Sequence, residues 1–446
     1  MNVTSRLAAY VAGSTLESLP PEVHRQGVRS LVNWVGCTVG ASRQPAIDKL
    51  VAVLQATAGP GRSTVVARGW RTDMLTASLV NGTANSLLGY NDTHLPTVAH
   101  PAASVVAACL ALAGQRRVSG ADLLHAVILG IEIQCRVGNV LVTPPAESAG
   151  GLYMVGTVGG IGAAVAAARM LGLDERRTGF AFGTAGGQSG GLRETYRTMA
   201  SHLICGEAAR EGLLAALLAE RDFTGPATLV EGPKGLAEVF ATAADPSLAL
   251  RGLGTDFEIA RNTFKPYPCG FVAHPVIDAC LDVARDNDIR AEEIERVEMR
   301  VSPAALQFAG FAAPANAMEA GTSLHHWAAV SLACRAAGLR ERSDAVVRDP
   351  RVIGVRERIR FVEDAGLSSE AAAATVLLAD GRRFEARVDH ARGTVRRPMT
   401  DGELSEKFLA QADGVLPAAR AKALLAACWD IQSVSDVGGV LGPLLD

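Results

Sequence analysis

Phe264-Lys265-Pro266-Tyr267-Pro268-Cys269-Gly270-Phe271-Val272-Ala273-His274-Pro275 is the stretch at which the chain changes character. Its prolines hold an extended segment that presents Lys265, Tyr267 and His274 at the boundary. Before it, from Pro21 to about Thr242, the periodicity is helical almost throughout. Pro21–Val39 opens with Pro and Glu and then sets Val28, Leu31, Val32 and Val35 on one face. Segments 45–57, 73–88, 101–114, 120–140, 155–171 and 203–219 read the same way. After the boundary, Glu295–Val301 alternates, with Val297, Met299 and Val301 on one face. Arg358–Val362 and Ala374–Ala379 read as further strands, and Asp380-Gly381 offers a hairpin turn into Arg383–Val388. Helices are expected at 320–337 and 341–348, and again at Asp401–Gln411 and Pro417–Trp429. The predicted fold is therefore mainly α with an α+β second domain. A large helical domain is built from both chain ends, 1–262 and 395–446, and a smaller α+β domain spans 263–394.

With 446 residues, 48% of them hydrophobic, the chain can bury a large core in two or three domains. A net charge of −3 and the lack of any long basic run argue against nucleic acid and anionic membrane as partners. Ser104–Gly114 and Val155–Ala168 are too short, or too rich in Gly and Ala, to span a bilayer. Arg6 and the apolar Leu7–Val11 are followed by no cleavage site, so no signal peptide is read. Cysteines 37, 109, 135, 205, 269, 280, 334 and 428 form no CxxC pair and fit reduced core thiols of a cytoplasmic protein. A zinc site would want Cys and His clustered at ligand spacing. Gly156–Gly162 and Gly183–Gln188 resemble phosphate loops only loosely. Their flanks are helical and lack a βαβ pattern, so close helix packing explains them better.

The nine histidines fall into informative places. Asn91-Asp92-Thr93-His94-Leu95-Pro96-Thr97-Val98-Ala99-His100-Pro101 gathers a carboxylate, two imidazoles and two hydroxyls on a loop that ends at a helix-starting Pro. His100 and Thr97 could equally be plain capping and turn groups. The boundary segment adds Lys265 and His274. Ser323-Leu324-His325-His326-Trp327 opens a helix with adjacent imidazoles, which point in different directions and make a poor metal pair.

Taken together these residues resemble the MmgE/PrpD family, which includes 2-methylcitrate dehydratase, cis-aconitate decarboxylase and iminodisuccinate epimerase. Asn91-Asp92-Thr93-His94 with His100-Pro101 is similar to its DDTH…HPS loop. Gly156-Thr157-Val158-Gly159 is similar to HPTGTFG, and Gly191-Leu192-Arg193 through Thr198-Met199 to GLR…GTMTKP. Lys265–Cys269 with His274 is similar to KPYPCG…TH, and Asp389-His390-Ala391-Arg392-Gly393 before Pro398 to DHPRG…P. The resemblance implies a helical domain, a smaller α+β lid, a homodimer, and a cofactor-free, metal-free site between helical domain and lid that reacts small carboxylic acids. It places His100 and His274 at active-site histidines, with Asp92 and Thr93 in the loop beside them. Thr93, His94, Arg193, Ser201, His202 and Lys265 are the candidates for binding substrate.

Three departures bear on the reaction. Tyr153 stands where the dehydratase and decarboxylase pattern has His, Ser201 where it has the Lys of TMTK, and His326 where it often has Tyr. An imidazole and an ammonium are lost. Tyr153 can still transfer a proton if its pKa is lowered, His326 offers an imidazole from another wall, and His202 stands beside Ser201. The family majority favours a lyase acting by proton transfer α to a carboxylate. The departures move weight towards an isomerase of the epimerase kind, and a non-catalytic homologue is the remaining reading. Met154 and Val155 before Gly156 imply a small, partly apolar site.

Overall fold

The computed structural model describes residues 2–143, 147–148 and 151–446. The chain forms two compact units. One comprises Met1–Leu87, Asn91–Thr263 and Thr400–Asp446, and the other Leu88–Tyr90 and Phe264–Met399.

The first unit is mainly helical. Its principal helices are Val3–Gly13, Pro21–Ala41, Pro45–Leu54, Met74–Leu87, Pro101–Ala113, Gly120–Leu141, Met154–Met170, Glu175–Gly186 and Ala200–Glu220. Asp401–Ala412, Ala418–Trp429 and Val437–Leu445 join them from the far end of the chain. Local chemistry starts these helices where the sequence suggests. Pro21, Pro45 and Pro101 occupy first-turn positions that need no N–H. The Ser119 hydroxyl accepts from the Asp122 N–H at 3.1 Å, and Thr400 forms a capping box with Glu403. Met154–Met170 lies at the centre, packed on Ala200–Glu220, Gly120–Leu141, Pro101–Ala113 and Glu175–Gly186. Its glycines allow that approach. A Cβ on Gly212 would lie 2.3 Å from the Gly160 carbonyl oxygen, so the Gly156–Gly162 cluster is a helix-packing surface. Gly120–Leu141 has the length and hydropathy to cross a bilayer, but its side chains are buried in this unit and include the ion pair Glu132–Arg136.

The second unit carries a four-stranded sheet in the order Arg383–Val388, Ala372–Leu378, Ile294–Val301, Ile359–Glu363. The first two neighbouring pairs are antiparallel and the last is parallel. Gly381 turns the hairpin with φ +86°. The helix His274–Asp286 packs on Ala372–Leu378 and Arg383–Val388, and Leu324–Cys334 packs on that helix in turn. The alternation in Ile294–Val301 buries Val297, Met299 and Val301 in this unit's core.

Candidate active site

In the helical unit, the loop before Pro101 is folded on a short antiparallel ladder, Thr93–His94 against Asn262–Thr263. Asp92 is buried, and its Oδ2 accepts from the Ala102 N–H at 3.0 Å and from Asn262 Nδ2 at 2.7 Å. The carboxylate thus sits at the N-terminus of Pro101–Ala113, where helix N–H groups favour negative charge. His100 Nδ1 lies 2.7 Å from the Asp92 carbonyl oxygen and 3.3 Å from the Thr93 hydroxyl. A carbonyl only accepts, so Nδ1 carries the proton, and the lone pair of the neutral ring is on Nε2.

His94 is fully buried. Its Nε2 is 3.0 Å from Glu258 Oε2 and its Nδ1 is 2.8 Å from Thr97 Oγ1. Burial holds this imidazole below its ordinary pKa. The neutral ring therefore donates from Nε2 to the carboxylate and accepts at Nδ1 from the Thr97 hydroxyl. Burial opposes the charge on Glu258, but the His94 hydrogen bond, Arg261 and Asn139 together hold its carboxyl down at about 2. Both nitrogens of His94 are engaged with the protein itself, which makes it part of the frame around His100.

Tyr153 precedes the helix Met154–Met170, with its ring edge-on to His100 at 6.3 Å between centroids and to Tyr196 at 5.2 Å. Its hydroxyl is 3.8 Å from Cys205 Sγ, in a small apolar cluster with Ala103 and Val155. The sequence left Tyr153 a proton-transfer role if its pKa fell. Burial, helped by Cys205 and Tyr196, instead pushes it well above the ordinary 10.0, so it is a neutral phenol that can donate a hydrogen bond. Arg193 hydrogen-bonds Tyr196. Ser201 donates its hydroxyl to the Thr198 carbonyl at 2.9 Å, within its own turn, and His202 Nδ1 is 2.9 Å from the Ser86 hydroxyl. A separate cavity of about 160 Å³ lies among Gly156, Gly191, Ile204, Glu207 and Glu211, and no candidate site residue lines it.

In the second unit, Lys265 and Tyr267 are buried. The Tyr267 hydroxyl donates to Asp278 Oδ1 at 2.6 Å, and Asp278 Oδ2 accepts from the Arg392 N–H at 2.7 Å. The Asp389–Gly393 signature is thereby tied to the boundary segment. Gly393 is required there, because it has φ +90° and a Cβ would lie 2.5 Å from the Phe264 carbonyl oxygen. His274 is fully buried as the first residue of its helix, edge-on to Tyr267 at 5.3 Å and tilted on Phe271 at 4.8 Å. His326 is also fully buried and donates from Nε2 to the Glu341 carbonyl at 2.9 Å. Burial, with help from Arg356 and Arg342, holds it down at about 4, so it is neutral. His325 packs instead on Phe361, 4.6 Å between ring centroids.

Sequence reasoning missed Glu258 and Asn262, which stand 164 and 170 positions from the loop residues they bond. No local spacing could signal them. Among the described residues, no group of three or more His, Cys, Asp or Glu side chains is placed to hold a metal ion. All eight cysteines are unbridged.

Residues 5–249 match the MmgE/PrpD N-terminal domain, and residues 267–431 match the MmgE/PrpD C-terminal domain. The chain is 24% identical to cis-aconitate decarboxylase of Mus musculus over 98% of this chain and 92% of that protein. It is 26% identical to cis-aconitate decarboxylase of Homo sapiens over 81% of this chain and 77% of that protein. It is also 26% identical to the cis-aconitate decarboxylase-like protein oryM of Aspergillus oryzae, over 64% and 62% respectively.

Proposed function

Because the chain belongs to the MmgE/PrpD family, we propose that it is a cofactor-independent lyase that moves a proton on the carbon beside a carboxylate of a small acid. The observation that carries this reading is the His100 ring, whose Nδ1–H is held 2.7 Å from the Asp92 carbonyl, so that Nε2 has the lone pair. General acid–base catalysis needs an imidazole with a defined tautomer and orientation. In a dehydration, Nε2 takes the α proton, the bond from the neighbouring carbon to its hydroxyl breaks, and that oxygen leaves as water with a proton supplied by the imidazolium or by a second acid. In a decarboxylation, the carbon–carbon bond breaks to CO₂, its electron pair stays on carbon, and Nε2, first loaded with a proton from solvent, delivers that proton there. The decarboxylase relatives support the lyase class. Tyr153 and Ser201 support a substrate with fewer carboxylates than a tricarboxylate, since neither balances an anionic charge as an ammonium does. Arg193, Lys265 and His274 are the candidates for carboxylate binding and a second proton transfer.

A second reading, an isomerase that inverts the same kind of carbon, is favoured by the neutral phenol of Tyr153 set 6.3 Å from the His100 ring. A donor beside an acceptor suits removal and return of a proton with no leaving group.

Incubation in D₂O with a panel of di- and tricarboxylic acids, followed by NMR and mass spectrometry, separates these readings. Loss of CO₂ or water marks the lyase. Deuterium uptake at unchanged composition marks the isomerase. His100→Ala should reduce turnover by on the order of 10²-fold. Unchanged turnover in that variant would remove His100 from the chemistry and the reading with it.

A further inference from the structure

We infer that Glu258 is a positioning residue for His100, acting through His94; this rests on His100 being the proton-transfer group. The chain of contacts begins on the helix Gly120–Leu141, where Glu132, Arg136 and Asn139 fall at i, i+4 and i+7 on one face. Arg136 fans onto backbone carbonyls, donating to Ala249 at 3.3 Å, Arg251 at 2.8 Å, Gly252 at 3.2 Å and also Asp256. Glu132 accepts from Arg136 Nε at 2.6 Å and from the Ile259 N–H at 3.0 Å. The segment that carries Glu258 is thus fastened to a buried helix on both sides of the residue.

Glu258 itself is held between Arg261 at 3.1 Å and His94 Nε2 at 3.0 Å. A carboxylate only accepts, so it fixes His94 as the Nε2–H tautomer and leaves Nδ1 to receive the Thr97 hydroxyl. The His94 backbone N–H then donates to the Ala99 carbonyl at 2.9 Å and closes the turn that delivers His100. Inside that turn Val98 has φ +53°. A β-branched residue in the left-handed region is strained, and it persists only where its surroundings over-determine it. The Glu258–His94–Thr97 chain is such a surrounding. Without the carboxylate, His94 can change tautomer, the Thr97 hydroxyl loses its acceptor, and the turn relaxes away from the orientation that sets His100.

The test uses the full-length protein with Glu258→Ala, Glu258→Gln and Thr97→Val, reading steady-state constants and imidazole ¹⁵N shifts. Glu258→Ala is expected to lower kcat by about 10- to 100-fold with little change in KM, as for a misplaced catalytic group. Glu258→Gln keeps a carbonyl oxygen for the His94 Nε2–H and should recover part of that loss. In the parent protein, His100 should show the Nδ1–H signature, and in Glu258→Ala that signature should become tautomerically averaged. Full kcat in a folded Glu258→Ala overturns the inference. So does a fall in kcat with the His100 signature intact. Should Glu258→Ala fail to fold, Glu258→Gln and Thr97→Val carry the test, and full kcat with an unaltered His100 signature in both overturns it. The ¹⁵N readout needs no substrate, and His100→Ala reports separately on the reading beneath, so the two failures are distinguishable.

Discussion

Gly138→Ala perturbs the frame of His100 from the helix side. Gly138 lies near the end of Gly120–Leu141, and a Cβ there would sit 2.8 Å from Thr97 Cγ2 and 3.1 Å from Thr97 Cβ. Taken alone, replacing glycine by alanine in a helix interior stabilises by about 1 kcal/mol. Ordinary carbon contacts lie at about 3.5–4.0 Å, so Thr97 would have to withdraw by roughly 1 Å. Overpacking of that kind costs about 1–3 kcal/mol. Thr97 decides which effect wins. It is fully buried and its hydroxyl holds His94 Nδ1 at 2.8 Å, so it cannot rotate aside without releasing the histidine. The clash is therefore expected to exceed the propensity gain, with a net loss of about 0–2 kcal/mol. The larger effect should be on turnover, which falls by on the order of 10-fold or more because the displaced turn ends at His100. Urea denaturation and steady-state assay on one preparation measure both. A variant stabilised by the full helix-propensity gain, with kcat unchanged, would refute the mechanical link between this helix and the loop.

Acid should destabilise both units between about pH 6.5 and about pH 4. Burial first, and then nearby arginines, holds His125 in the helical unit and His326 in the second unit at about 4 against an ordinary 6.5. A folded pKa below the unfolded one means that the stabilisation is full above 6.5 and is lost as pH falls towards 4, at most about 2–3 kcal/mol for each histidine; a flat stability profile across that window contradicts the assignment. Arg136→Met should cost about 3–5 kcal/mol because Glu132 stays buried without its partner, whereas Glu132→Leu with Arg136→Met should cost less; a thermal melt in which the double variant is the weaker of the two counts against this. Tyr153→His with Ser201→Lys should raise turnover of cis-aconitate and 2-methylcitrate while lowering the native activity, and efficient turnover of either by the unmodified protein would show that these positions do not set the substrate. Chelator treatment and exhaustive dialysis should leave activity unchanged, and recovery only on adding a divalent ion would make the histidines ligands.

What the sequence made legible depended on how far apart the deciding atoms lie. Pro21, Pro101 and the Asp380-Gly381 turn act within a few residues, and the elements they start or join are found there. The helix Glu175–Gly186 was read only as a helical flank of the Gly183–Gln188 cluster, because glycine at 179, 183 and 186 interrupts its pattern; Asp174 caps it, and Val3–Gly13, Met154–Met170 and Ala200–Glu220 pack against it. The site shows the same division. Asp92, His94 and His100 share one loop and were readable as a group. The engagement of both His94 nitrogens was not readable, because one partner, Glu258, is 164 positions away. Nor was the direction of the Tyr153 shift, since a phenol's pKa depends on the side chains folded around it, here Cys205 and Tyr196.

The glycine clusters that resembled phosphate loops have a physical connection to the site after all. Gly130 and Gly162 face each other so closely that a Cβ on either would lie within 2.8 Å of the other's carbonyl oxygen, and a Cβ on Gly212 would lie 2.3 Å from the Gly160 carbonyl oxygen. Backbones this close leave little room for side chains to rearrange at these crossings of Gly120–Leu141, Met154–Met170 and Ala200–Glu220, so the three helices pack as a stiff block. Glu132, Arg136, Gly138 and Asn139 lie on one of those helices, Tyr153 stands at the N-cap of the second, and Cys205 belongs to the third. A strained turn at Val98 can be held in one conformation only by neighbours that do not yield. The small-residue composition that carries no chemistry itself therefore supplies the stiffness that an oriented imidazole at His100 requires.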